Sequence, residues 1–489
     1  MSAASGTEIL INVGPHEWRG AVVEAGVLQE IHIDRDSRRG LVGNLYKGRV
    51  TRVLPGMQAA FVEVGLERTA FLHVDDIWRP SVAASEADPD IRKLLSAGDE
   101  VLVQVQKDPI GGKGARLSSF ISLPSRLLVF MPQGTGVGVS ARIEDEDERQ
   151  RLRTALGAIV AEGHAGGYIL RTAAVGATAE ELAADLAYLE KLWAHVRQRA
   201  AQSGSGQLVH EDLPLSLRML RDELTPRVER VLVDDAAEHA RMLEFARRFS
   251  PQAESRILLH AGPRPLFDLH GIEEDLRRAL DRKVGLRSGG HLVIDQTESM
   301  TTIDVNTGGF VGHRDLEDTI YRTNLEASVA IARQLRLRNI GGIIIIDFID
   351  MADAAHRDQV LESLRRALAA DRAQTQVAGL SSLGLVEMTR KRTRESLEHL
   401  LCQPCAACDG RGFVRTPETI CHEIFRELLR QARQFTSREL LVLAHQDVIE
   451  RLLGEDAAAL AELEPVVGRP IRLQSESLYD VDQFDVVLN

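Results

Sequence analysis

Polar and apolar residues alternate in short runs through the first quarter of the chain. LYKGRVTRVL, MQAAFVEV, TAFLHVDDI and EVLVQVQKD are separated by turn signals, PG at 55–56 and GGKG at 111–114. Successive strand residues face opposite sides, so such runs predict half-buried strands, and several at this spacing predict a small barrel. Residues 1–38 alternate in the same way, with a turn near Glu24–Gly26. Past residue 124 the period lengthens. EDEDERQRLRTALGAIVAEG predicts a helix whose acidic first turn suits the helix dipole. GGYILRTAAVG predicts a short strand and loop. TAEELAADLAYLEKLWAHVRQRAAQ predicts a long amphipathic helix, opened by Thr178 and Glu181 as a capping box. SGSG at 203–206 reads as a loop, and RVERVLVDD with the following helix offers a partner for the N-terminal strands. From about 272 a helix, the hairpin HLVIDQTESMTTIDVNTG, a helix over 315–338, a strand over 342–348, a helix over 353–371 and the strand LGLVEMTRKR predict an α/β domain. Mixed helix and strand follow the cysteines at 402–408.

One stretch drives apolar residues into acid: GGIIIIDFIDM, residues 341–351. A run of isoleucine predicts a strand buried on both faces. Asp347 then emerges at the sheet edge, where α/β sheets bind ligands. A cap or turn carboxylate is the plainer alternative. MTTIDVNTGGF supplies a second strand end, with Asp304 and Asn306 two apart on one face before glycines that allow a tight turn. Two acids and a carboxamide are hard oxygen donors of the kind Mg²⁺ accepts, with substrate phosphate completing the shell. Arg333, Arg336 and Arg338 precede Asp347, and Arg390, Lys391, Arg392 and Arg394 follow it. As patches bracketing the acids they point to a polyanionic substrate; as solvated helix faces they mean nothing.

In the barrel, Phe61 shares a face with Ala59 and Glu63, and Phe71 with Thr69, His73 and Asp75. Core phenylalanines are the ordinary expectation. Two on polar strand faces predict instead a platform for stacking bases, with Lys47, Arg49, Arg52 and Lys113 available to phosphate. GTGVGVS at 134–140 mimics a nucleotide loop, but no helix pattern begins after it.

Composition narrows the picture. The chain has 489 residues, 44% of them hydrophobic, with a net charge of −13. That balance excludes a generic polyanion binder and restricts nucleic-acid contacts to local patches. No charged-then-apolar leader opens the chain and no apolar run is long enough for a membrane span, so a cytoplasmic protein is expected. Three of the four cysteines fall in CQPCAACDG, residues 402–410, which reads as a metal site in a reducing compartment. Reduced metal-free thiols, a Cys₃His site using His399 or His422, and a half-site of Cys405 and Cys408 completed by a second copy remain open.

MTTIDVNTGGFVGHR, ARQLRLRNIGGIIIIDFIDM, GLVEMTRKRTRESLEH and CAACDGRG together resemble the bacterial ribonuclease E/G family, and the resemblance runs along essentially the whole chain. It implies a Mg²⁺-dependent endoribonuclease cutting single-stranded A/U-rich RNA, preferring 5′-monophosphate ends and leaving 5′-phosphate and 3′-hydroxyl. Ribosomal RNA 5′-end maturation and mRNA decay are its implied roles. The implied fold is multidomain α/β. A split RNase H-like domain (1–38 and 214–279) carries an inserted OB-fold RNA-binding barrel (39–124) and a 5′-sensor domain (125–213). A DNase I-like catalytic domain (280–400), a zinc link (401–415) and a small dimerisation domain (416–489) follow. The implied assembly is a homodimer, with tetramers left open.

Carried over by residue, Asp304 and Asp347 would hold Mg²⁺ and Asn306 would support them. Phe61, Phe71 and Lys113 would hold RNA. Arg171 and Thr172 would sense the 5′-monophosphate in a pocket lined by Val129. Cys405 and Cys408 would bind a structural Zn²⁺ shared between protomers. Asp350 matches a retained acid with no assigned role, and Gln374 stands where the family has an arginine supporting the sensor. A non-catalytic RNA-binding scaffold is the rival reading; it would keep the phenylalanines and basic patches but has no need of both acids.

Overall fold

The computed structural model describes residues 6–36, 40–79, 90–109, 113–160, 164, 166–225, 227–308, 316–392, 394–436 and 438–488. The chain divides into two compact units, residues 1–400 and 401–489.

The first unit is mixed α/β and is built on four sheets. Strands Thr7–Val13, Glu17–Glu24 and Val27–Arg35 form a meander, turned at Ala25 and Gly26 with φ of 49° and 76°. Strand Val228–Val233 then lies parallel to Thr7–Val13, with Ile9 opposite Val231, and Ile257–Leu259 extends the sheet. Between these segments a barrel closes: Leu45–Leu54, Ala59–Glu63, Ala70–His73, Arg116–Ser118 and Glu100–Lys107, the last pairing back onto the first. Closure removes the exposed strand edges that an open sheet would present. Its interior is Val50, Ala60, Val62, Ala70, Leu72, Val103, Val105 and Leu117, each at most 1% exposed.

A four-stranded sheet follows, ordered Gly136–Val139, Gly167–Leu170, Leu128–Met131, Leu123–Pro124. Helices Glu146–Val160 and Ala179–Gln202 share its core. The capping box forms as its spacing predicts: Thr178 accepts from the Glu181 N–H, and Glu181 accepts from the Thr178 N–H.

The last sheet of this unit has six strands, ordered Lys283–Gly285, His291–Gln296, Met300–Asn306, Gly342–Asp347, Leu385–Arg390, Thr375–Leu380. Helices Leu316–Leu337 and Ala354–Leu368 pack against Ile303, Val305, Ile344, Ile346, Val386 and Met388. The isoleucine strand therefore corrects the expectation of two buried faces. Ile344 and Ile346 are fully buried, but Ile343 is 49% exposed. Both helices lie on one side of the sheet, so Met300, Thr302, Ile343, Glu387 and Thr389 stand exposed on the other.

In the second unit, Leu440–Ala444 lies between Ile471–Ser475, parallel, and Phe484–Leu488, antiparallel. Helices Pro417–Gln434, Gln446–Leu453 and Ala457–Val467 complete it. Cys421 is fully buried in its core. Among the described residues no helix is long and apolar enough to cross a membrane.

Candidate active site

Asp304 and Asp347 meet. They are register partners on adjacent parallel strands, and such strands lie about 4.8 Å apart. Both point to the exposed face because Ile303, Val305 and Ile346 occupy the buried one. Asn306, two residues on and on the same face, donates through Nδ2 to Asp304 Oδ2 at 2.9 Å. Residues 309–315, which follow in the chain, lie outside the described residues. Partial burial, then the charges of Asp304 and Asp350, raise the Asp347 carboxyl above its ordinary pKa. Burial is the larger cause, and the two like charges add to it. An oxygen-only donor set among like charges fits a hard divalent cation.

The basic segments do not bracket this pair. Gly342 pairs with Arg390 and Asp347 with Leu385, so Arg390 sits at the other end of the strand, roughly 17 Å away at the usual rise. It is spent on a buried ion pair with Asp371 at 2.6 Å. Arg336 donates to Glu30 at 2.9 Å and Glu24 at 3.3 Å, Arg333 to the Leu28 carbonyl, Arg338 to Gln334, and Arg392 to the Gly341 carbonyl. Arg394 donates to His32 Nδ1 at 2.5 Å. Arg333 and Arg336, on helix Leu316–Leu337, and Arg394, past the end of the sheet, fasten the Val27–Arg35 strand to this domain. A strand carries the chain from one end of a sheet to the other, so neighbours in sequence become opposites in space.

That junction contains Glu30, His32 and Glu223, whose ligand-type atoms all lie within 4.8 Å of one another. Its chemistry argues against a metal. Arg394 is always a donor, so it takes the Nδ1 lone pair, and the neutral ring must carry its proton on Nε2. Burial and the Arg394 charge push the ring down to about 4, which keeps it neutral. Nε2 then has no lone pair to give. The carboxylates are held by Arg336 and Arg372, and burial pushes Glu223 up to about 7. The cluster is an ion network.

In the barrel, Phe61 and Phe71 are direct cross-strand partners, half-buried on the outer face. Their ring centroids are 6.4 Å apart at 71°. Core positions fall to Ala60, Val62, Ala70 and Leu72, as period two requires. Arg52 pairs with Phe61 and is exposed, and Lys113 is exposed beside the strand of Phe71. Lys47 is not available in the same way: it binds Glu100 at 3.1 Å and the Ser203 carbonyl at 3.0 Å.

Arg171 begins the loop after Gly167–Leu170, next to exposed Thr172. Its guanidinium donates to the Ser125 carbonyl at 2.5 Å and to Asp222 at 2.6 Å. Val129 is half-buried on the adjoining strand, opposite Ile169. The counter-ion Asp222 carries no signal in the sequence. Neither does Arg372, which donates to Glu223 at 2.7 Å and to the Asp222 carbonyl. Arg372 lies two residues before Gln374 and reaches the neighbourhood of Arg171 from the six-stranded sheet's side.

In the second unit, Cys405 is exposed and Cys408 buried. The Gly412 N–H donates to Cys408 Sγ at 3.3 Å. That bond, with a contact from the Cys405 thiol, lowers the Cys408 pKa towards the thiolate a metal needs. Positive φ at Asp409, Gly410 and Gly412 shapes this knuckle. Among the described residues none of Cys402, Cys405 and Cys408 joins a converging set of three ligands within the chain.

Residues 122–393 match the ribonuclease E/G family, and residues 404–487 match the RNase E/G thioredoxin-like domain. Ribonuclease G of Salmonella typhimurium (strain SL1344) is 52% identical over 489 residues, covering 98% of this chain and 99% of that protein. Ribonuclease G of Haemophilus influenzae (strain ATCC 51907 / DSM 11121 / KW20 / Rd) is 49% identical, with the same coverages. Ribonuclease E of Escherichia coli (strain K12) is 37% identical over 93% of this chain and 43% of that protein. Identity of this size along nearly the whole length, with paired acids at adjoining strand ends, leads to one conclusion: the chain belongs to the ribonuclease E/G family.

Proposed function

We propose that this endoribonuclease hydrolyses single-stranded, A/U-rich RNA with Mg²⁺, prefers 5′-monophosphate ends, and leaves 5′-phosphate and 3′-hydroxyl. An endoribonuclease role in RNA processing rests on the relatives named ribonuclease G and ribonuclease E. The single observation that carries the chemistry is the register pairing of Asp304 with Asp347.

Asp304 and Asp347 would hold the metal. When bound there, Mg²⁺ supplies Lewis acidity towards a phosphoryl oxygen and lowers the pKa of coordinated water. Asn306 keeps the Asp304 carboxylate oriented through the 2.9 Å bond. Phe61 and Phe71 would stack bases, and Lys113 and Arg52 would meet phosphate. Arg171, Thr172 and Val129 would receive a 5′-monophosphate. A guanidinium grips phosphate through charge-assisted bonds that a hydroxyl end cannot offer. Arg372 supplies a cation near that pocket although Gln374 does not.

Cys405 and Cys408 would form half of a Zn²⁺ site completed by a second copy, giving a homodimer. Four unpaired cysteines suit a reducing compartment such as the cytoplasm. The same reading assigns the sheet of 7–35 and 228–259 to a split RNase H-like domain and the sheet of 283–390 to a DNase I-like catalytic domain. Precursors of ribosomal RNA and mRNA are the proposed substrates.

Incubation with a short 5′-phosphorylated RNA, with Mg²⁺ or chelator, tests the reading. Internal cuts that need the metal and both acids support it. Binding without cutting would favour a scaffold.

A further inference from the structure

The backbone that follows Asp347 leaves the sheet and loses its ladder partners. Phe348 and Ile349 are buried or half-buried there, and backbone polar groups in such a place need partners. Asn324, on helix Leu316–Leu337 and 0% exposed, provides them. Its Oδ1 accepts from the Ile349 N–H at 3.1 Å, and its Nδ2 donates to the Ile349 carbonyl at 2.8 Å. One carboxamide thus satisfies both backbone groups of a single residue, as a neighbouring strand would. Ile349 lies between Asp347 and Asp350.

Glu317, seven residues earlier on the same helix, makes a second hold. Its Oε1 accepts from the Ala352 N–H at 3.0 Å and the Asp353 N–H at 3.2 Å. The loop carrying Asp350 is therefore clasped on both sides by one helix. Only Asn or Gln offers a donor and an acceptor side by side, and Gln is longer by one carbon. A leucine would fill the volume but strand two buried backbone groups.

We propose that Asn324 is a positioning residue for the reaction, seconded by Glu317: it fixes Ile349, and through it the strand end from which Asp347 meets Asp304 to hold one divalent cation. This rests on the reading of Asp304 and Asp347 as the metal-holding pair. Residues that orient metal ligands without touching the metal tune affinity as well as rate.

The test titrates Mg²⁺ against cleavage of a 5′-phosphorylated RNA by the full chain and, with no RNA present, against the rise in its melting temperature, where Asn324→Asp should shift the half-maximal Mg²⁺ concentration in the same direction. Asn324→Asp keeps the acceptor for the Ile349 N–H but sets an oxygen against the Ile349 carbonyl. It should raise the Mg²⁺ concentration for half-maximal rate by about 10–100-fold, while KM for RNA at saturating Mg²⁺ stays within about twofold. Ile331→Val, buried on the same helix seven residues beyond Asn324, controls for lost packing and should leave the Mg²⁺ requirement unmoved. If Asn324→Asp does not fold, Glu317→Ala decides, with a requirement expected to rise severalfold. A normal Mg²⁺ requirement in the folded Asn324→Asp, or in Glu317→Ala where that variant decides, overturns the proposal, provided that Asp304→Asn is inactive. Cleavage by Asp304→Asn would instead overturn the underlying reading of the site.

Discussion

Asp304→Asn should abolish cleavage and yet leave the metal-free fold as stable as before, or slightly more stable. The substitution removes one charge and keeps the shape. An oxygen remains where Asn306 Nδ2 donates. In the parent, Asp304 and Asp347 are direct partners on strands about 4.8 Å apart. Two like charges at roughly 5–6 Å in a water-facing environment repel by about 1 kcal/mol, and by less at physiological ionic strength. The Asp347 carboxyl is raised in the fold, so the native state holds its proton more tightly than the unfolded chain does. Stability is therefore lost as pH rises from the ordinary value of 3.8 through the raised one, and the penalty is complete at neutral pH. The advantage of the variant should accordingly be largest at pH 7 and close below the ordinary carboxylate range.

Metal reverses the order. A cation that binds only the native state stabilises it by about 2.7 kcal/mol at a hundred times its Kd. The parent should gain this on adding Mg²⁺ and Asp304→Asn should not. The assay is a pair of unfolding curves for each protein, in chelator and in Mg²⁺, beside cleavage and RNA-binding measurements. A variant clearly less stable than the parent in chelator would make Asp304 a structural residue. A full Mg²⁺ response, or near-normal turnover, would refute the assignment of the metal to this pair.

Phe61→Ala and Phe71→Ala should each weaken RNA binding by about 1–3 kcal/mol with little change in melting temperature, since both rings sit outside the barrel core; the reverse outcome would make them packing residues. Arg171→Ala should narrow the rate difference between 5′-monophosphorylated and 5′-hydroxyl RNA, and an unchanged ratio with both rates lowered would mean that its bonds to Ser125 and Asp222 are its whole purpose. Elemental analysis should find one Zn²⁺ per two chains, and Cys405→Ser or Cys408→Ser should shift the protein towards monomer in sedimentation, with Cys402→Ser mattering much less. One zinc per chain would favour a site complete within the protomer.

Much of the site was legible because its signals are local. Period two alone put Phe61 and Phe71 on the barrel's outer face, since a strand's neighbours in sequence determine which side each residue takes. The capping box at Thr178 and Glu181 was readable for the same reason, as was the placing of Asp304 and Asp347 at strand ends. Pairing is not local. A 22-residue helix separates the strands that carry the two acids, and only the packing of that helix on one face of the sheet brings Asp304 into register with Asp347 and leaves Ile343 exposed. The arginines around Asp347 in the chain read as patches bracketing the acids for a polyanionic substrate, or as solvated helix faces, but the strand carries the acid to one end of the sheet and leaves Arg390 at the other. Glu30 and His32, the partners of Arg336 and Arg394, lie more than three hundred residues away in sequence. Asn324 shows the limit most plainly: it reads as an ordinary polar residue in an amphipathic helix, and only in the folded chain does its carboxamide face the backbone of Ile349. Sequence determines what each segment presents; long-range packing, which buries apolar faces and must find a partner for each buried polar group, decides what it is presented to.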